Sequence, residues 1–129
     1  MIVVDTHILA YLLLPYEYSP QADALFKRDP DWKAPILWRS EFRNLLAGYL
    51  RRKTLTLDQA VKVQAEAEAI LAGSEYEVDS KSVLELVRNS DCSAYDCEFV
   101  ALAIRLNTQV VTLDGKLLKA FAQHTLALA

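Results

Sequence analysis

Residues 93–121 read SAYDCEFVALAIRLNTQVVTLDGKLLKAF, and this stretch decides the fold class. Ser93 is a typical cap for a helix over AYDCEFVALAIRL that ends near Asn107. The run QVVTL is rich in β-branched residues and predicts a buried strand. Asp114 and Gly115 then turn the chain into a short last helix, KLLKAF. A helix, a strand and a helix in succession are typical of a parallel sheet covered by helices.

The same alternation of strands and helices continues along the rest of the chain. MIVV at residues 1–4 predicts a buried strand, and a helix is expected from Thr6 to Leu14. The strongest helix candidate runs from Trp38 to Lys53, where apolar residues recur at helical spacing. Shorter elements are expected as helices over 21–28, 56–73 and 80–88, and as strands over 33–36, 76–78 and 124–129. This order predicts an α/β fold, a parallel sheet of four to five strands sandwiched by helices in three α/β/α layers.

The composition is that of one compact domain over residues 1–129. Hydrophobic residues make up 53% of the chain and charged residues 24%, so the chain can bury a sizeable core. The net charge of −3 argues against a protein that coats nucleic acid, because such binding relies on cations that neutralise phosphates. It does not exclude a nuclease, since a carboxylate cluster that holds divalent cations is acidic until the metal binds.

Two features of the sequence bear on the compartment. Cys92 and Cys97 have no further Cys or His at ligand spacing, so we expect reduced thiols rather than a disulfide framework or a zinc site. The apolar N-terminus is interrupted by Asp5 and His7 and lacks the basic start of a signal peptide. No stretch is apolar for long enough to span a bilayer. The expected compartment is therefore the cytoplasm, with no membrane partner.

Four carboxylates are expected at one edge of the predicted sheet. Asp5 directly follows the first strand, and Asp114 follows the strand QVVTL. Glu41 and Asp96 lie in the first turns of their predicted helices. Because ligands of an open parallel sheet bind outside the carboxyl ends of its strands, these four acids are our candidate site residues.

Convergent carboxylates suit Mg²⁺ or Mn²⁺, which prefer oxygen ligands. Such ions activate water for in-line attack at phosphorus and stabilise the charge that develops on the phosphate oxygens. Each acid also has a purely structural interpretation. Asp5 and Asp114 can be helix N-caps, and Glu41 and Asp96 can simply complement a helix dipole. Taken one residue at a time, the sequence leaves both interpretations open.

In their order along the chain, these motifs resemble the PIN-domain family, in particular the VapC-like toxins of bacterial and archaeal toxin–antitoxin pairs. The first acid, Asp5, lies in the first of four matching segments, and Glu41, Asp96 and Asp114 lie in the other three. The segments are VVDTHILAYLL (3–13), PILWRSEFRNLLAGYLRRKTLT (35–56), SAYDCEFVALAIRL (93–106) and VVTLDGKLL (110–118). The resemblance therefore covers most of the chain.

The resemblance implies a parallel sheet sandwiched by helices and Mg²⁺- or Mn²⁺-dependent endonucleolytic cleavage of RNA. It also implies a cognate antitoxin that covers the active site, and a homodimer. Asp5, Glu41, Asp96 and Asp114 would be the catalytic and metal-binding residues, with Asp5, Asp96 and Asp114 as direct ligands. Glu41 would bind a second metal or orient the attacking water. The groups expected to fix these carboxylates are Thr6, Asn44 and Thr112.

Some residues depart from the family pattern or have two interpretations. Cys97 and Glu98 follow Asp96 where small or apolar residues are common, and His7 is assigned no function. Arg39 and Lys116 are expected either to contact RNA or to pair with an acid. The run Arg51–Lys53 is interpreted as charge that complements the C-terminal end of its helix.

Other functions remain as alternatives. A phosphatase of the haloacid dehalogenase type needs a second Asp two residues after Asp5, and His7 stands there instead. A catalytically silent PIN-fold module that binds a protein partner is the alternative of a different class. A nuclease directed at DNA is a further alternative, because the same metal chemistry cuts either polymer.

Overall fold

The computed structural model describes all 129 residues as seven helices and five strands. The strands are β1 (Ile2–Val4), β2 (Trp32–Pro35), β3 (Glu75–Tyr76), β4 (Val110–Thr112) and β5 (Thr125–Ala127). The helices are α1 (Thr6–Leu13), α2 (Ser19–Arg28), α3 (Trp38–Arg51), α4 (Leu57–Ile70), α5 (Ser80–Arg88), α6 (Ala94–Arg105) and α7 (Gly115–Ala120). Each predicted element is present, and the boundaries shift by a few residues at most.

The five strands form one parallel sheet in the order β3-β2-β1-β4-β5. The expected parallel sheet of four to five strands is thus confirmed with five. Strand β1 is central and pairs with β4 through Val3 opposite Val110 and Val4 opposite Val111. Because the two strands are parallel neighbours, the residues that follow them, Asp5 and the 113–114 segment, leave the sheet side by side.

Helices cover the sheet in two layers. Helix α6 contacts β1, β2 and β4 and packs on α5, whereas α1 contacts β4 and packs on α2, α3 and α4. Val3, Val4, Val110 and Val111 are at most 1% exposed, as expected for a parallel sheet covered on both faces. The three-layer arrangement leaves only the edges of the sheet open to ligands.

Two further predictions concern the cysteines and the membrane. Cys92 and Cys97 are both buried free thiols. A helix with the length and hydropathy needed to traverse a bilayer is not found among the seven.

Candidate active site

The carboxyl edge of the sheet opens into a cleft of about 470 Å³. All four acids predicted from the sequence line it, so the fold brings them together. The cleft is lined by Asp5, Thr6, His7, Tyr11, Glu41, Asn44, Leu45, Asp96, Phe99, Leu113, Asp114 and Leu117. It lies at the carboxyl ends of β1 and β4, which are neighbours in the sheet.

Asp5 lies between β1 and α1 and is held from two sides. Its Oδ1 accepts a hydrogen bond from the Ile8 amide at 3.1 Å, which caps α1. Its Oδ2 accepts a hydrogen bond from the Thr112 hydroxyl on β4. Burial at the base of the cleft raises the pKa of Asp5, and these two hydrogen bonds oppose the rise only in part.

Asp114 follows β4 and caps the short helix α7. Its Oδ1 accepts from the amides of Lys116 at 2.9 Å and Leu117 at 3.4 Å. Its own amide donates to the Thr112 hydroxyl oxygen at 3.0 Å, so one threonine joins Asp5 and Asp114. The Oδ2 atom of Asp114 accepts no hydrogen bond, and the residue is exposed to the cleft.

Glu41 reaches the cleft from the first turn of α3. The Thr6 hydroxyl donates to its Oε1 at 2.7 Å, and its Oε2 accepts no hydrogen bond. Burial raises the pKa of Glu41, and the negative charges of Asp96 and Asp5 raise it further. A threonine therefore orients this carboxylate, just as Thr112 orients Asp5.

Asp96 enters from the first turn of α6, which Ser93 caps by accepting from the Asp96 amide at 3.1 Å. Burial raises the pKa of Asp96, and the charge of Asp114 adds to the rise. The cap fixes where α6 begins, and this start places Asp96 across the cleft from β4.

Asp5 and Asp114 are helix caps in the structure, and capping does not exclude a role as ligand. A carboxylate has about four lone-pair sites, so the two hydrogen bonds that each of these carboxylates accepts leave sites for a cation. Asp114 keeps one oxygen without any hydrogen bond, as Glu41 does. The structural and functional interpretations of these acids are therefore compatible.

The cleft suits a hard divalent cation by its donors and its charge. Its acids offer carboxylate oxygens, and none of them forms an ion pair with Lys, Arg or the N-terminus. As the side chains stand, no three His, Cys, Asp or Glu groups converge closely enough to hold a metal ion. Carboxylates that lack a counter-charge repel one another unless a cation neutralises them, and oxygen donors of this kind are the ligands that hard divalent cations prefer.

The remaining residues singled out in the sequence have mixed outcomes. Asn44 lines the cleft and is exposed, but it makes no hydrogen bond to any of the four carboxylates. Arg39 pairs with Glu75 and Glu68 rather than facing the cleft, which is the pairing alternative. Glu98 does not line the cleft.

Tyr11 is a cleft residue that the sequence reasoning missed. It lies four residues after His7 on α1, so the two side chains share one helix face. That spacing was the available signal, but it is also common in ordinary amphipathic helices.

Known proteins resemble this chain in sequence and in fold. The ribonuclease VapC3 of Pyrobaculum aerophilum is 30% identical over 124 residues, covering 93% of this chain and 94% of that protein. The structure of FitAB bound to the IR36 DNA fragment has a TM-score of 0.74 at 17% identity, covering 98% of this chain and 94% of that one. FitAcB from Neisseria gonorrhoeae has a TM-score of 0.75 at 17% identity, covering 100% and 97%. These two likenesses concern the fold alone.

The family comparison extends over almost the whole chain. The model of the PIN domain matches residues 2–122, a range that contains all four acids of the cleft. Together with the VapC3 relative, this match confirms the resemblance expressed by the four sequence segments. The chain belongs to the PIN-domain family.

Proposed function

We propose that the chain, as one domain over residues 1–129, is a metal-dependent endoribonuclease and the toxin of a toxin–antitoxin pair. The observation that carries this proposal is the cleft with Asp5, Glu41, Asp96 and Asp114, in which no acid has a paired cation. The name of the VapC3 relative, a ribonuclease, supports RNA as the substrate class.

We assign the four acids as the residues that would hold Mg²⁺ or Mn²⁺. A bound ion of this kind lowers the pKa of water and offsets the charge that develops on the phosphate. Asp5, Asp96 and Asp114 are the direct ligands, and Glu41 either binds a second ion or orients the attacking water. Asp96 and Glu41 favour this assignment, because burial and a neighbouring acid raise the pKa of each: Asp114 acts on Asp96, and Asp96 and Asp5 act on Glu41.

The two threonines have a positioning role in this proposal. Thr112 donates to Asp5 and accepts from the Asp114 amide, so it fixes the spacing of two ligands that follow adjacent strands. Thr6 holds Glu41 at 2.7 Å and thereby links the starts of α1 and α3. Such outer partners orient ligands and strengthen their binding to a metal.

The proposed partners follow from the family. We infer a cognate antitoxin that covers the cleft and a homodimer of this chain, acting in the cytoplasm where RNA substrates are present.

The test is cleavage of a mixed RNA pool with Mg²⁺, with Mn²⁺ and with EDTA, comparing the wild type with Asp96→Asn. We expect cutting with a divalent cation, none with EDTA, and none with the variant. Folded, antitoxin-free wild type that cuts under no condition would overturn the nuclease proposal and favour a protein-binding module. Equal cutting of a DNA pool would overturn RNA as the specific substrate.

A further inference from the structure

A row of rings extends from the acid cleft along one side of the molecule. His7 and Tyr11 on α1 line the cleft, and Tyr18 lies at the start of α2. The ring centroids of His7 and Tyr11 are 6.3 Å apart, and those of Tyr11 and Tyr18 are 5.4 Å apart. The three rings therefore form a continuous path that begins beside the carboxylates.

A branch of this row continues to a basic segment. The centroids of Tyr11 and Tyr16 are 5.1 Å apart, and those of Tyr16 and Tyr49 are 6.5 Å apart. The Arg52 guanidinium lies over the Tyr49 ring at 5.0 Å from its centroid. Arg52 belongs to the run 51–53, whose three basic residues are exposed and form no ion pair.

These rings differ from the aromatic residues of the core. Trp32, Trp38 and Phe42 are at most 1% exposed. By contrast, His7 is exposed, and Tyr18 is 38% exposed. On α1 the neighbouring Ile8 is fully buried, so this helix already has an apolar face toward the core. Tyr11 and Tyr16 are half-buried and pack against the edge of the core, whereas His7 and Tyr18 are exposed. Packing of the interior therefore accounts for part of the row but not for its exposed rings.

The chemistry of the row fits unpaired nucleobases. Every base has a π-face, and stacking on an aromatic side chain or on Arg is tolerant of sequence. The rings of His7 and Tyr11 are tilted by 45° and those of Tyr11 and Tyr18 by 50°, so bases stacked on successive rings are tilted to one another, which unpaired bases allow and a regular stacked helix does not. The carboxylates repel phosphates, and the rings and the basic run offer the attraction that a strand needs beyond the cleft.

We propose that His7, Tyr11 and Tyr18 form a stacking track for the bases of single-stranded RNA next to the scissile phosphate, with residues 51–53 contacting the backbone beyond it. This inference rests on the proposed function, since it takes the acid cleft as the place of cleavage. It assigns the chain a preference for unpaired RNA and gives His7, which has no role among the carboxylates, a place in substrate binding.

The experiment measures binding without cleavage. All proteins carry Asp96→Asn, Mg²⁺ is present throughout, and the probe is a fluorescent, mixed-sequence, single-stranded oligoribonucleotide followed by anisotropy. A second probe has the same backbone but lacks bases in its central part. Tyr11→Leu removes the middle ring, and Tyr11→Phe keeps it. The matched control is Tyr76→Leu, because Tyr76 is half-buried like Tyr11 but lies outside the cleft.

The expected result is a loss of affinity for the complete RNA of about 10-fold with Tyr11→Leu, since one stacked base contributes about 1–3 kcal/mol. Tyr11→Phe and Tyr76→Leu retain wild-type affinity, and the base-free probe binds equally to all variants. Undiminished RNA binding by folded Tyr11→Leu overturns the proposal, as does an equal loss on the base-free probe. If Tyr11→Leu does not fold, His7→Ala at its exposed position decides by the same two criteria.

Failure of the nuclease proposal is separable from failure of the track. If wild-type protein does not cleave RNA but binds it in a base-dependent way that Tyr11→Leu weakens, the catalytic assignment is wrong and the stacking track stands. If wild-type protein cleaves RNA in a metal-dependent way and no ring variant alters RNA binding, the stacking track is wrong and the nuclease proposal stands.

Discussion

Two carboxylates near the start of α3 have opposite surroundings. Glu75 accepts from Arg39 at 2.6 and 2.7 Å and from the Trp38 indole at 2.8 Å. Glu41, three residues after Trp38, instead lies near Asp96 and Asp5 with only the Thr6 hydroxyl as a donor. The Arg39 pair holds the pKa of Glu75 below its usual value, whereas burial and neighbouring acids raise the pKa of Glu41.

The comparison shows which carboxylates the chain neutralises by itself. Glu75 has an internal cation, and its contacts with residues 38 and 39 fasten the start of α3 to strand β3. Glu41 and its neighbours have none, and their raised pKa values reflect this lack of compensating charge in addition to burial. Glu75, which is paired with Arg39, thus helps to position helix α3, and α3 carries Glu41, which has no paired cation.

The largest expected effect comes from Asp5→Asn. Removing one charge from the cleft should lower cleavage by more than about 100-fold, because loss of an outer partner alone costs about 10- to 100-fold. The asparagine can still cap α1, so circular dichroism and Tm should indicate a folded protein. Full activity of a pure Asp5→Asn protein would remove Asp5 from the site.

A smaller loss is expected for Thr112→Val. This change deletes the hydroxyl that joins Asp5 and the Asp114 amide while keeping the β-branched shape, and we expect cleavage to fall about 10- to 100-fold. The matched control is Thr125→Val in β5, a buried threonine whose hydroxyl donates only to the Phe121 carbonyl. If both variants lose activity equally, the effect is general destabilisation rather than positioning.

Glu75→Gln tests the carboxylate that Arg39 neutralises within the chain. Replacing this carboxylate leaves Arg39 with Glu68 as its acidic partner, at 3.1 Å, so the start of α3 is held less firmly. We expect Tm to fall by a few degrees and cleavage to fall by less than about 10-fold, since no group of the cleft is removed. Activity as low as that of Asp5→Asn in folded protein would contradict the division between the two carboxylates.

The smallest effect concerns the pH dependence of metal-free protein. Above about pH 4 the acids of the unfolded chain lose their protons, whereas Asp5, Glu41 and Asp96 in the folded protein retain them longer. The native state then binds more protons, so these three groups make the free energy of unfolding fall as the pH rises through their folded-state pKa values. Glu75 has the opposite sign, and its stabilisation is lost as the pH falls through its lowered pKa.

Thermal denaturation in EDTA over a series of pH values measures this difference. Asp96→Asn should raise Tm most at the upper end of the series, because it removes a buried charge that Asp114 repels. The deficit of Glu75→Gln should shrink toward low pH. A lower Tm for Asp96→Asn at neutral pH would show that Asp96 is not destabilising in the absence of metal.

Most of the fold could be predicted because its signals are local. The β-branched runs at 2–4 and 110–112 and the caps Asp5, Ser93 and Asp114 all act within a few residues. Helix α2 begins without a side-chain cap, so no such local signal marks its start. The Ser19 hydroxyl instead donates to the Leu14 carbonyl and accepts from the Tyr16 amide, in the turn that precedes the helix.

The candidate site was predictable in its members and in some of its contacts, since Thr6 and Thr112 donate to Glu41 and Asp5 as expected. The acids follow strands or begin helices, and parallel topology then brings them to one edge. The partner of Arg39 was not predictable, because Glu75 is 36 residues away and only the pairing of β3 with β2, the strand before α3, brings them together. Asn44 shows the reverse error, since its position one turn after Glu41 suggested a contact that its exposed side chain does not make.

The hydrogen bond between Thr112 and Asp5 joins residues 107 positions apart in the chain. During synthesis the first strand leaves the ribosome long before β4 exists, so the nascent chain holds Asp5 without its partners for most of translation. The four acids of the cleft can come together only after β4 and the Asp114 that follows it have been synthesised. The order of synthesis alone thus delays the assembly of the cleft until that point.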